Sequence, residues 1–150
     1  MKPRKQHAYE VLLRIARVKE LRAQVALAGA VDEEVAAQQR LEVVEDARQV
    51  VMVANGACAA RGQRMDLARY ELLTRLDAAL SERLQIASVQ LEQASQERAS
   101  KASENVLAKR YRERVGEHLD GIQLEWTQER AAKAQEEGVE LWLESRGKET

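Results

Sequence analysis

One proline, Pro3, stands in a chain of 150 residues, and that scarcity constrains the fold more than any other feature. Proline and glycine punctuate globular domains, because loops need backbone conformations that helices and strands do not. Here nothing after Pro3 supplies the first kind of breaker, and only seven glycines supply the second. Ala, Leu and Val dominate the apolar residues, Phe is absent, and 33% of the chain is charged. Such a composition with helical periodicity points to long helices rather than a thick globular core.

The chain turns round within Asn55–Asp66, which contains Gly56 and Gly62. Glycine readily takes the left-handed conformation that ends a helix. Asp66 is a good N-cap, because its carboxylate accepts from the free N–H groups of the next turn. Met65 and Tyr70 have the spacing of a hydrophobic staple, which would fix the entry angle of the second helix. The first helix is expected from about residue 4 to about 58, and its end falls between Asn55 and Gly62. The second is expected from about 66 to about 145. Short connections make antiparallel neighbours. The predicted fold is all-α: one antiparallel two-helix coiled-coil hairpin, an elongated rod.

In the first helix Val18, Leu21, Val25 and Ala28 step by three, four and three, the alternation of a two-stranded seam. Past Gly29 the apolar positions pass through Val31, Val35, Leu41, Val44 and Val51. In the second helix Leu80, Leu84, Ala87, Leu91 and Ala94 keep the same alternation. The register then places Arg98, Lys101, Asn105 and Arg112 on the seam, before Val115, Leu119, Ile122 and Trp126 restore it. This polar middle is expected to be the weak zone, with Arg98→Leu tolerated or stabilising. A turn centred near residue 60 would set position 5 against position 115 and leave everything beyond Gly116 overhanging. Gly121 and Gly138 weaken that overhang, and a break after residue 116 is one reading of it.

With 24 basic and 25 acidic residues, the net charge of −1 argues against bulk attraction to nucleic acid or an anionic membrane. The distribution is uneven. Residues 1–22 carry seven basic side chains against Glu10 and Glu20, whereas residues 125–150 carry four against seven Glu. Such a basic run is ordinarily a solvated face, but its density near a helix start, where the dipole disfavours cations, equally fits a recognition role. No apolar run approaches the ~20 residues of a membrane span, and the basic start lacks the apolar core of a signal peptide. No membrane insertion and a cytoplasmic location are expected.

Sites for chemistry are scarce. Cys58 is alone, so no intrachain disulfide forms. His7 and His118 fall near one level of the hairpin, but a metal site needs three or four ligands. Glycine-rich phosphate loops, G-x-S-x-G and H-E-x-x-H are missing, and a two-helix rod has no walls for a pocket. No enzyme activity, metal or cofactor is expected. Trp126 and Trp142 are the informative aromatics: Trp126 can cap the seam or meet a partner, and Trp142 lies beyond any intrachain partner.

The run Arg14-Ile15-Ala16-Arg17-Val18-Lys19-Glu20-Leu21-Arg22 resembles the N-terminal region of the YscO/HrpO/FliJ proteins of type III secretion and flagellar export. Asp66-Leu67-Ala68-Arg69-Tyr70-Glu71-Leu72-Leu73, after the turn, extends the resemblance, as does the chain length. The resemblance implies a non-enzymatic stalk of antiparallel helices at the periphery of the inner-membrane export apparatus. Its implied partners are a hexameric secretion ATPase, an export gate protein and secretion chaperones. Arg14, Arg17, Val18, Lys19, Leu21, Arg22, Trp126 and Trp142 are the expected partner-binding residues. Members of that family are often clearly basic; this chain is near neutral and its later segment acidic. The competing expectations are a generic coiled-coil adaptor or holdase, and a nucleic-acid-binding rod that net charge opposes.

Overall fold

A computed structural model describes residues 3–59 and 66–148. Among them there are two helices and no strand: α1, Arg4–Ala59, and α2, Leu67–Lys148. The fold is an all-α two-helix hairpin. Met65, Gly62 and Arg61, on which part of the turn reading rests, lie outside the described residues.

The helix starts follow from their sequences. The carbonyl of Pro3 accepts the His7 N–H at 3.2 Å, so proline stands just before α1, where its missing donor costs nothing. At α2 the Asp66 carboxylate accepts the Arg69 N–H at 3.3 Å, and the Asp66 carbonyl accepts the Tyr70 N–H at 2.9 Å. Asp66 is therefore the N-cap of α2. Along α2, Thr74, Ser103 and Thr127 turn their hydroxyls back onto the carbonyls of Tyr70, Ala99 and Gln123. That bond satisfies a hydroxyl without interrupting the helix. Gly116, Gly121 and Gly138 do not break α2, which continues to Lys148.

The chain divides into two compact units, one of residues 23–105 and one of residues 1–22 with 106–150. In the first, less exposed positions on α1 step by three and four through Ala23, Leu27, Ala30, Glu34, Ala37, Leu41, Val44, Arg48 and Val51. Those on α2 step likewise through Leu73, Asp77, Leu80, Leu84, Ala87, Leu91, Ala94, Arg98, Lys101 and Asn105. Arg48 pairs with Asp77 at 3.3 Å, and Arg98 pairs with Glu34, which fixes the antiparallel direction. Lys101 is flanked by Glu97 at 3.7 Å and Glu104 at 3.4 Å on its own helix. In the second unit the same alternation runs through Gln6, Tyr9, Leu13, Ala16 and Glu20, and through Ala108, Arg112, Val115, Leu119, Ile122 and Trp126.

The α2 seam follows the sequence expectation, polar members included. The α1 seam follows it at Leu41, Val44 and Val51 but not before them. Val18, Leu21, Val25, Ala28, Val31 and Val35 are exposed, and the contact face is made by Ala16, Glu20, Ala23, Leu27, Ala30 and Glu34. Ala16 is 0% exposed and Val18 49%. The physical reason lies in α2: Arg98 and Arg112 need acidic partners, and alanine allows close helix approach beside their bulk. The overhang is also shorter than expected. Leu13 approaches Gly116, the Tyr9 ring lies 5.9 Å from the His118 ring, and Leu119, Ile122 and Trp126 are all at least half-buried. Glu34 meets Arg98 and Arg48 meets Asp77, so each α1 residue faces a later α2 residue than a turn centred near residue 60 would give.

Candidate partner-binding surface

The unit formed by residues 1–22 and 106–150 holds every residue that the sequence nominates for partner binding. Its interior positions one helix face and leaves the opposite face bare. Ala16 is fully buried against α2, Glu20 pairs with Arg112, and Gln6 donates to Glu10 at 3.5 Å. A residue two positions from Ala16 and two from Glu20 must then point directly away from α2. That residue is Val18, and Val11 precedes it by one heptad. Ile15 and Leu21 lie beside them and are also exposed, Leu21 at 60%.

Four basic residues flank these aliphatics. Arg14, Arg17 and Arg22 are exposed and form no ion pair among the described residues. Lys19 differs: its ammonium lies 5.8 Å from the centre of the Tyr111 ring, a cation–π contact between the helices. Lys19 therefore also belongs to the flank of the seam. The acidic residue of this stretch, Glu20, is turned inward to Arg112, so the outward face is purely basic.

Two tryptophans lie on α2. Trp126 is half-buried, the last such residue of the helix, and Arg130 lies 4.8 Å over its ring one turn later. Trp142 is 56% exposed, with Arg146 at 5.0 Å over its ring. Residues 127–148 are exposed throughout, including Val139, Leu141 and Leu143. The structure thus places Arg14, Arg17, Val18, Leu21 and Arg22 on one exposed helix segment, Lys19 at its edge, Trp126 at the seam and Trp142 apart.

Two residues that sequence reasoning passed over are Glu20 and Glu34. They are fourteen positions apart, as are Arg98 and Arg112. That matched interval was the available signal for the α1 register. In the other unit, an open apolar groove is lined by Ala36, Arg40, Val43, Arg83 and Ile86, and no sequence reading anticipated it.

His118 meets Tyr9, and no group of three or more potential metal ligands occurs among the described residues. Cys58 is a half-buried free thiol. Among those residues no helix is long and apolar enough to cross a membrane. No protein-family model, curated protein or solved structure matches this chain.

Proposed function

We propose that the protein is a non-enzymatic stalk and coupling component of a type III secretion export apparatus. In this reading it binds the hexameric secretion ATPase through the start of α1. An export gate protein and secretion chaperones are further partners, and the complex works in the cytoplasm at the inner-membrane export apparatus. One observation carries the proposal. The stretch Arg14–Arg22, which bears the family resemblance, exposes Val18 and Leu21 among unpaired arginines instead of using them to hold the hairpin together. Exposed aliphatics flanked by one sign of charge suit a steered protein contact, with charge setting the encounter rate and apolar burial the lifetime.

The test is capture of the cognate secretion ATPase on immobilised protein, with stimulation of ATP hydrolysis as the second readout. Val18→Asp should weaken both while leaving the helical circular dichroism unchanged, because Val18 does not support the fold. Unimpaired capture by Val18→Asp and by Leu21→Asp together would remove this surface from the proposal.

A second reading, an adaptor for partner helices, draws on the groove of Ala36, Val43 and Ile86. Helix-in-groove recognition needs such an apolar trough with charged rims, here Arg40 and Arg83. Capture of partner helices that is lost on Ile86→Asp, with no capture of the secretion ATPase, would favour it.

A further inference from the structure

The two exposed surfaces of the unit built from residues 1–22 and 106–150 are complementary in charge and similar in length. Residues 11–22 carry Arg14, Arg17, Lys19 and Arg22, and their one acid, Glu20, is engaged by Arg112. Residues 134–145 carry Glu136, Glu137, Glu140 and Glu144 and no basic residue. None of these four glutamates forms an ion pair among the described residues. Each stretch also carries exposed apolar side chains at helix-contact spacing. Val11, Ile15 and Val18 step by four and three, and Val139 and Trp142 by three.

A helix face opposite a seam is ordinarily polar. A helix with no packing partner ordinarily carries no tryptophan beside leucines, since such exposed apolar clusters mark contact sites. Each surface therefore calls for a cover. The tail cannot cover the α1 face of its own chain, because α2 is continuous to Lys148. Trp126 is its last half-buried residue and Gln6 the first buried one of α1, so the helix carries the tail past the beginning of α1.

We infer that the protein forms a head-to-head dimer in which the acidic tail of each copy, residues 134–145, packs on residues 11–22 of the other. At about 1.5 Å per residue, the overhang of residues 127–148 spans about 33 Å and the α1 segment from Arg4 to Arg22 about 28 Å. With two open ends meeting, each tail runs parallel to the partner's α1 over matching lengths. A single twofold axis makes both contacts at once, which is the closed arrangement that identical chains favour. The glutamates of the tail then face Arg14, Arg17 and Arg22, and Val139 and Trp142 face Ile15 and Val18. The dimer covers the surface assigned above to the ATPase, so the two associations compete. The dimer itself does not depend on that assignment.

The experiment is sedimentation equilibrium of the full chain across a concentration and salt series. The expected result is a mass rising towards twice the 16.9 kDa of the chain, and falling back at high salt. Trp142→Asp and Val18→Asp should each raise the dissociation constant by at least roughly tenfold, with helical content unchanged. The decisive arm is a charge exchange. Arg14→Glu with Arg17→Glu in one protein, and Glu137→Lys with Glu140→Lys in another, should each give monomers. Their equimolar mixture should give a heterodimer, because both of its contacts then join opposite charges. A monomer at every concentration overturns the inference, as does a mixture that stays monomeric. Two charge variants that still dimerise alone do so as well, since they place the contact elsewhere. An Ile15→Cys, Val139→Cys protein in a Cys58→Ser background adds a final check: its disulfide must join two chains, and an intrachain bond overturns the arrangement.

Discussion

Arg98 of α2 pairs across the seam with Glu34 of α1, sixty-four positions earlier in the chain. The pair is half-buried and sits among alanines, with Ala30 and Ala37 one turn to either side of Glu34. The polar middle of α2 is therefore answered by α1, and is not simply a gap in an apolar seam. Glu20 and Arg112 repeat the arrangement in the other unit.

That pairing reverses the expectation for Arg98→Leu. Removing one member strands a partly buried carboxylate, which costs more than the pair contributes. The single substitution should lower stability by about 1–2 kcal/mol, discounted from the fully buried case because both side chains retain solvent contact. The double substitution Glu34→Leu with Arg98→Leu should recover that loss or exceed wild type. Urea denaturation of the three variants is the measurement. An additive double mutant would mean that the two residues do not interact.

The register of α1 has its own test. Ala16→Asp should destabilise by about 2–4 kcal/mol, since it forces a carboxylate into a site with no exposure. Val18→Asp, two residues on, should stay within about 0.5 kcal/mol of wild type at concentrations where both proteins are monomeric. On α2, Leu84→Asp and Leu91→Asp should behave like Ala16→Asp, because both lie on the seam. Thermal melts of the four proteins rank them directly, and a Val18→Asp variant as unstable as Ala16→Asp would put the seam on the wrong face.

The contrast between the helices explains what the sequence made legible. On α2 the heptad positions Leu80, Leu84, Leu91 and Leu119 lie on the contact face, so periodicity and packing agree there, and even the polar seam positions follow by extension. On α1 between Ala16 and Glu34 the valines are on the outside, and apart from Leu27 the inside is alanine and glutamate. A reading that assigns the most apolar stripe to the interior must then fail, because it treats each helix alone. Contact faces form in pairs, and on α1 Glu34 and Glu20 meet Arg98 and Arg112. The helix bounds were easier, since Pro3 and Asp66 act locally. The candidate binding residues rest on the family resemblance, whereas their outward orientation depended on the seam and was not legible.

Glycines inside the helices offer a gain in stability. A Cβ at Gly29 would meet nothing within 4 Å, and one at Gly116 would rest 4.0 Å from the Leu13 Cδ1, ordinary contact. Both positions are helical, so alanine should stabilise by about 0.5–1 kcal/mol each through lower backbone entropy in the unfolded chain. The melting temperature of each single variant checks this. A loss at Gly116 alone would show that the helices there are already in closest contact.

The functional proposal makes a prediction about salt that separates the two kinds of residue in the α1 segment. Arg14, Arg17 and Arg22 are solvated and unpaired, so their effect on an ATPase should act over long range and be screened. Reversing all three to Glu should reduce ATPase stimulation roughly tenfold at low ionic strength, and the deficit should shrink as salt approaches about 0.5 M. Val18→Asp should show a deficit that salt does not relieve, because it removes apolar contact rather than steering. Lys19→Glu should fall between, since that residue also loses its contact with Tyr111. Cys58→Ser, in the unit that lacks this surface, should stimulate like wild type at every salt concentration. Steady-state ATP hydrolysis with purified variants over a salt series decides the matter. Charge reversals that remain inactive at high salt would show that the arginines make direct, desolvated contacts. A Cys58→Ser variant that fails where the reversals succeed would move the ATPase contact to the other unit.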